Sequence, residues 1–117
     1  QLPPKSFILG TTIEKVKIPP NLIGRVEGRS SIGRLGVTIH VTAGFIDAGF
    51  NGQITLEIAN LSNNTVILYE NMRICQIIFE EIDTTPNRIY GEAGNKYQGQ
   101  EGKYLVHPSS YEVKKLK

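Results

Sequence analysis

The sequence lacks the residues that many kinds of site require: it has no tryptophan, one cysteine, one methionine and two histidines in 117 residues. The lone cysteine, Cys75, excludes a disulfide within the chain, so a reducing, cytoplasmic setting is expected. One Cys and two His also fall short of the ligand set of a structural zinc site. No apolar run approaches the roughly 20 residues of a membrane span, and the N-terminus shows no signal-peptide pattern. A net charge of +2 does not indicate nucleic acid or an anionic membrane as a partner.

The abundant residues favour strands. Ile, Val and Thr together number 30, whereas Ala, Leu and Met number 14. β-Branched side chains suit a pleated surface and crowd a helix, and the 18 Gly and Pro residues supply turns between short strands. A chain of this length has room for one domain. The sequence therefore predicts a single all-β domain over residues 1–117, either a sandwich or a barrel-like roll.

The order of apolar and polar residues predicts where the strands lie. The alternation is clearest where Ile54, Leu56 and Ile58 fall on one face, and the most apolar stretch predicts a buried strand at residues 73–82. Other strands are expected at residues 6–17, 53–60 and 65–69, and residues 21–27 are expected to form a short strand or an extended connection.

The segments between these strands have turn-like composition. The glycine-rich stretch 28–36 has room for a single helical turn, and 37–43 is expected to be extended. Polar turns are predicted at 47–51 and 61–64. Residues 84–117 are expected to form a mobile C-terminal arm, because they are rich in Gly, Asn, Gln and Pro as far as residue 103.

Residues 29–34 (Arg-Ser-Ser-Ile-Gly-Arg) are a candidate phosphate site. Two guanidinium groups, two hydroxyls and small residues that admit backbone N–H groups suit a phosphate ligand. A solvated basic turn explains the same residues, and their spacing does not decide between the two.

Residues 44–52 (Gly-Phe-Ile-Asp-Ala-Gly-Phe-Asn-Gly) allow two interpretations. They could form a pocket wall in which Phe50 packs on a base or sugar and Asp47 accepts a sugar hydroxyl. Alternatively they form a type I or I′ turn whose Asp and Asn bond the local backbone.

Glu57 is a carboxylate within an alternating strand. On a solvated face it would be ordinary. If that face lines a cavity, desolvation would raise its pKa and make it a candidate proton shuttle. His40 and His107 are lone histidines without ligand spacing. His40 could be a site residue or could have a hydrogen-bonded packing role. Cys75 is expected to be an inert buried thiol.

Taken together, these motifs resemble the dCTP deaminase/dUTPase superfamily over residues 7–102. Residues 28–31 (Gly-Arg-Ser-Ser) with Arg34 resemble its phosphate motif, and 44–52 resemble the motif that holds the deoxyribose. Residues 73–76 (Arg-Ile-Cys-Gln) resemble the fourth motif, and 94–100 resemble the arm that closes over the nucleotide. The four motifs occur in the same order as in the family.

Within that superfamily the chain is similar to the deaminase branch, on residues 40–43 (His-Val-Thr-Ala) and 54–57 (Ile-Thr-Leu-Glu). The resemblance implies that Glu57 is the catalytic acid/base and that Ser30 and Arg34 position the attacking water and the tetrahedral intermediate. It assigns the 3′-hydroxyl to Asp47. The nucleotide-binding residues that it implies are Arg29, Ser30, Ser31, Ile32, Gly33, Arg34, Asp47, Thr55, Leu56, Glu57, Gln76, Tyr90, Lys96 and Gln100.

The resemblance also implies the fold, the chemistry and the partners. The fold is expected to be a distorted β-barrel or jelly-roll of dUTPase type, assembled as a homotrimer. Water would attack C4 of cytosine without zinc, with Mg²⁺ carried on the substrate triphosphate, and dTTP is a candidate inhibitor. The chain departs from the family pattern in two ways. Ala48 stands where the family usually has proline. We also expect that the family's N-terminal Gln-Pro-x-Ser-x-Asp-Leu segment is missing from this chain.

Three functions are compatible with these features. The first is deamination of dCTP to dUTP and ammonia, with or without continued hydrolysis to dUMP and diphosphate. The second is a dUTPase that acts only on dUTP, a reaction in which Glu57 has no role. The third is a nucleotide-binding relative without turnover.

Overall fold

Two three-stranded antiparallel sheets are the framework of the fold in this computed structural model, which describes residues 1–42, 44–83, 89–91 and 98–99. One sheet has the strand order β1-β5-β3 and the other the order β4-β2-β6. This arrangement confirms the predicted all-β class and the single helical turn. Within the described residues the sheets do not close into a barrel. In chain order the elements are β1 (Phe7–Lys17), β2 (Leu22–Gly28), α1 (Ser30–Gly33), β3 (Val37–Thr38), β4 (Phe45–Ile46), β5 (Asn51–Asn60) and β6 (Cys75–Glu81).

Strand β5 organises the core through its alternation. Ile54, Leu56 and Ile58 are 7%, 3% and 5% exposed, while Thr55 and Glu57 between them are half-buried. Successive side chains of a strand point to opposite faces, so the pattern predicted from the sequence is confirmed. The buried side of β5 faces residues of the second sheet, including Val26, Ile46 and the partly buried Ile77.

Strand β1 pairs with β5 but is interrupted by a bulge. The register shifts between Thr11 and Lys15. The hydroxyl of Thr12 accepts a hydrogen bond from the Ile54 N–H (3.0 Å), and Gln53 Nε2 donates to the Thr12 carbonyl oxygen (2.9 Å). Bulges bend a strand and redirect a side chain, and this one lies immediately before Glu14.

Two strand predictions need correction. The prediction of a strand at 65–69 is wrong. Val66 forms only an isolated bridge, and its partner is Leu2 in the N-terminal segment. The strand predicted at 73–82 exists as β6 but is not buried: Ile78 and Phe79 are 38% and 53% exposed. Among the residues that the structure describes, β6 pairs only with β2, at the edge of its sheet.

The extended segment predicted at 37–43 ends early. Only Val37–Thr38 pairs with β5, and a bend follows at residues 41–42. Most of the predicted arm, 84–117, lies outside the described residues. The only helix in the part of the chain that the structure describes is the one turn of α1, and none is long and apolar enough to cross a membrane.

Asn60, at the end of β5, is a buried hydrogen-bonding centre with 0% exposure. Its Nδ2 donates to the carbonyl oxygens of Leu2 (2.9 Å), Pro3 (3.2 Å) and Asn64 (2.8 Å). Its Oδ1 accepts from the N–H (2.9 Å) and the hydroxyl (2.7 Å) of Ser62. One amide therefore joins the N-terminal segment, β5 and the turn that follows.

We predict that Asn60→Ala lowers the free energy of unfolding by about 3 kcal/mol, because it leaves several buried backbone groups without partners. Urea unfolding at fixed protein concentration measures the loss. Asn63→Ala, an exposed asparagine in the same turn, is the matched control and should change the value by less than about 0.5 kcal/mol. Equal losses in the two variants would contradict this role for Asn60.

Candidate functional site

The phosphate-motif residues are held by the single turn α1. Ile32 is 2% exposed and fixes the turn in the core, while Ser30, Ser31 and Arg34 are exposed. The turn is closed by Gly33 N–H donating to the Arg29 carbonyl oxygen (2.9 Å). Because Ile32 is buried, the turn exposes the hydroxyls of Ser30 and Ser31 and the guanidinium groups of Arg29 and Arg34.

A cleft of about 470 Å³ opens beside this turn. The Arg29 guanidinium donates from Nη1 to the Arg73 carbonyl oxygen (2.8 Å), and Gln76 Nε2 donates to the Gly28 carbonyl oxygen (3.0 Å). These bonds tie the start of α1 to strand β6. The cleft combines hydrogen-bond donors with positive charge, which suits an anionic ligand. Its lining residues are Glu14, Arg29, Ser30, Arg73, Cys75 and Gln76.

Glu57 lies on the outward face of β5, with its carboxylate fixed by backbone. Oε1 accepts hydrogen bonds from the N–H groups of Val41 (3.1 Å) and Thr42 (3.2 Å). These two donors form the bend after β3, which explains why the extended segment ends early. The carboxylate is therefore oriented before any ligand binds. Ala43, which follows the bend, lies outside the described residues.

His40 packs beside this bend. A Cβ at Gly44 would lie 3.1 Å from the His40 Cε1 atom, so the imidazole ring packs closely against this glycine. The His40 Nδ1 atom is buried and has no hydrogen-bond partner within the described residues. The packing role considered for this histidine agrees with that contact.

Within residues 44–52, which resemble the family's deoxyribose motif, residues 47–50 form a tight turn. Phe50 N–H donates to the Asp47 carbonyl oxygen (3.1 Å), and Gly49, at the third position, has φ +89°. A positive φ at that position alone defines a type II turn, so the alternative of a type I or I′ turn is wrong. Ala48 occupies the second position, where proline is common in such turns. Asp47 is exposed.

The beginning of the C-terminal segment packs on this turn. Tyr90 N–H donates to the Ala48 carbonyl oxygen (2.9 Å), and the Tyr90 ring lies 5.6 Å from the Phe50 ring at 58°. A Cβ at Gly49 would clash with Ile89, so this approach requires glycine. Of the predicted arm residues, Lys96 and Gln100 lie outside the described residues.

The predicted site residues do not form one group on this chain. Arg29, Ser30 and Gln76 line the cleft, whereas Arg34 and Glu57 do not. Gln76 lies on the outer face of the β4-β2-β6 sheet, opposite Glu27, and Glu57 with Thr55 lies on the outer face of the other sheet. Leu56 is buried in the core (3% exposed) and offers its side chain to packing.

Sequence reasoning missed Glu14 and Gln98. Glu14 enters the cleft through a bulge that no local pattern signals. Gln98 bonds the turn that follows Asp47, through Gly49 and Asn51. In the described ranges, no three His, Cys, Asp or Glu side chains come together in a way that could hold a metal ion.

Cys75 is half-buried at the wall of the cleft, not fully buried as expected. Burial raises the pKa of the Cys75 thiol above its ordinary value, and the nearby Glu14 carboxylate raises it further. The thiolate is therefore disfavoured in the folded chain, which agrees with an inert thiol.

We predict that iodoacetamide alkylates Cys75 with a pH midpoint above that of a free cysteine, and that Glu14→Gln lowers this midpoint without restoring the free value. The unfolded thiol ionises first, so this group also makes stability fall as pH rises through that range. Glu81→Gln, at the far end of β6, is the control and should leave the midpoint unchanged. A midpoint unaffected by Glu14→Gln would show that the Glu14 carboxylate does not lie near the Cys75 thiol.

Comparison with known proteins identifies relatives. Residues 1–82 match the model of a family described as dCTP deaminase-like. A "dCTP deaminase, dUMP-forming" of Halobacterium salinarum is 54% identical over 102 residues, covering 86% of this chain and 52% of the relative. One of Coprothermobacter proteolyticus is 56% identical over 101 residues, covering 86% and 54%. The chain spans about half the length of the curated relatives it matches.

Solved structures share the fold. A native EIAV dUTPase superposes with a TM-score of 0.63 at 27% identity, covering 78% of this chain and 74% of that one. A Staphylococcus bacteriophage 80alpha dUTPase with dUpNHpp gives a TM-score of 0.57 at 20% identity, covering 86% and 76%. The expected jelly-roll-like dUTPase-type fold is confirmed.

Proposed function

Because the chain belongs to the dCTP deaminase-like family, we propose that it deaminates dCTP to dUTP and ammonia and then hydrolyses dUTP to dUMP and diphosphate. The observation that carries this proposal is the fixed Glu57 carboxylate, which deamination needs and hydrolysis of dUTP alone does not. The dUMP-forming names of relatives more than 50% identical support the second step.

In this proposal Glu57 moves the protons of the deamination. Attack of water at C4 requires a base, and N3 and the departing amine require an acid; one carboxylate serves both in turn. The hydrogen bonds from Val41 and Thr42 hold its Oε1 atom in place. Ser30 and Arg34 are proposed to orient the water and to stabilise the charge that develops at C4.

The cleft is proposed to hold the phosphates. Arg29 and Ser30 present donors there, and the Gln76 amide completes that wall. Ser31, which is exposed on the same turn, would add a hydroxyl donor. Mg²⁺ would enter on the triphosphate as part of the substrate, because the described residues offer this cleft one carboxylate, Glu14, and hard cations require several oxygen ligands.

The turn at 47–50 is proposed to bind the sugar. Asp47, exposed at the first turn position, would accept the 3′-hydroxyl. Tyr90, packed on Phe50, would form the adjoining wall. Lys96 and Gln100 are proposed to contact the triphosphate from the arm.

The enzyme is proposed to act as a homotrimer, with each site shared between subunits. Glu57 and Gln76 lie on the outer faces of two sheets that pack through their inner faces, so they point away from each other within one chain. We propose that subunit contacts cover Phe45 and Phe79, which are 69% and 53% exposed.

We predict that two inactive variants, Glu57→Gln and Ser30→Ala, recover activity when co-expressed. If Glu57 and Ser30 of one site come from different subunits, about a quarter of the sites in randomly mixed trimers carry both native groups. Light scattering of the purified assembly should give three times the chain mass. Failure to recover activity in a mixed trimer would place both groups on one subunit.

Parallel assays with dCTP and dUTP test the function itself. Ammonia and diphosphate should both be released from dCTP in the presence of Mg²⁺. Release of diphosphate from dUTP without release of ammonia from dCTP would identify the alternative, a dUTPase without deaminase activity. The likeness to the EIAV dUTPase is the reason for testing this alternative.

Glu57→Gln is predicted to lower the deamination rate by about 10²–10⁴-fold, the usual contribution of a general acid–base group, while dCTP still binds. Glu70→Gln, the same change at an exposed turn residue, is the control and should retain full activity. Ammonia release and equilibrium binding of dCTP are the two measurements. Substantial deamination by Glu57→Gln would show that Glu57 does not transfer the protons of the reaction.

A further inference from the structure

The turn at 47–50 is anchored to the core on one side. Gly49 N–H donates to the Ile18 carbonyl oxygen (2.9 Å), and Ile18 N–H donates to the Phe50 carbonyl oxygen (2.8 Å). Ile18 is 1% exposed, so these bonds are sheltered from water. These two bonds attach the inner side of the turn to the core, and they do not constrain its outer side.

The outer side is held by the side chain of Gln98. Its Nε2 donates to the Gly49 carbonyl oxygen (3.1 Å), and its Oε1 accepts from Asn51 N–H (2.9 Å). The adjoining Gly99 N–H donates to the Asn51 carbonyl oxygen (2.7 Å). Three hydrogen bonds therefore join the C-terminal segment to backbone on either side of Phe50.

Only a side-chain amide of this length suits the geometry. It offers a donor and an acceptor in one plane, which matches one carbonyl and one N–H of the turn. A carboxylate would keep the bond from Asn51 but turn an oxygen towards the Gly49 carbonyl oxygen. On its other side Gln98 packs against Gly91, where a Cβ would lie 2.9 Å from the Gln98 Cδ atom.

We propose that Gln98 is a positioning residue for nucleotide binding: its amide fixes the turn that carries Asp47 and holds the C-terminal segment against that turn. This inference rests on the proposed function, in which Asp47 binds the sugar. Gln98 acts through the backbone of Gly49 and Asn51 and has no role in proton transfer. Its loss should therefore weaken binding of dCTP and leave the chemical step intact.

The test is Gln98→Met, which keeps the length of the side chain and removes its hydrogen bonds. Hydrogen exchange of the Asn51 amide should speed up about five- to tenfold, because its acceptor is lost. The KM for dCTP should rise about tenfold with kcat within about twofold. Gln98→Glu should show the same KM increase, since the carboxylate cannot donate to Gly49.

Gln53→Met is the matched control, because the Gln53 amide also bonds backbone, at the β1 bulge, and its loss corrects for a general fall in stability. Unchanged exchange at Asn51 in Gln98→Met, or a fall in kcat at constant KM, would overturn the proposal. If the wild-type protein turns over neither dCTP nor dUTP, the proposed function fails. In that case the exchange rates, with equilibrium dCTP binding in place of KM, still decide the role of Gln98.

Discussion

The pleat of strand β5 is the constraint on which both the core and the proposed site depend. Ile54, Leu56 and Ile58 are buried on one side, which commits Thr55 and Glu57 to the other. A slip of one residue would exchange the two sets and bury the carboxylate. The position of Glu57 is thus set by hydrophobic burial on the opposite side of the strand and by pairing with β1. The amide of Asn60 holds the end of the same strand.

The site groups are positioned where the sheet hydrogen bonding stops. A backbone group that leaves a ladder needs another partner, and at two places here that partner is the side chain of a residue proposed for the site. The N–H groups of Val41 and Thr42 bond the Glu57 carboxylate in place of a continued β3. The Gly49 carbonyl and the Asn51 N–H bond Gln98 at the start of β5. At these two positions a side chain thus satisfies the free backbone groups and fixes the adjoining loop.

Local pattern is enough to predict the elements whose structure is decided locally. The strands β1, β2 and β5 and the helical turn α1 follow from alternation and glycine content. The strand expected at 65–69 fails because Val66 pairs with Leu2, a partner distant in sequence. The burial expected of β6 fails because an apolar run does not reveal an edge position.

The site is predicted less completely than the fold, for the same reason. Motif residues such as Ser30 and Asp47 are visible in the sequence because their neighbours form short, recognisable turns. Glu14 and Gln98 are not, because one depends on a bulge and the other on a turn about 50 residues earlier in the chain. Side chains placed by non-local pairing have no local signature, whatever their importance to the site.

The two-sheet architecture also explains why the proposed site residues that the structure describes do not gather on one chain. The sheets pack through Val26, Ile46 and the buried side of β5, so their outer faces diverge. Gln76 lies on one outer face and Glu57 on the other, and no rearrangement of side chains would bring them together without unpacking the core. In the proposed homotrimer, a second copy would bring its own outer face to the cleft. The core packing that stabilises each chain is thus the reason that the proposed site needs more than one copy.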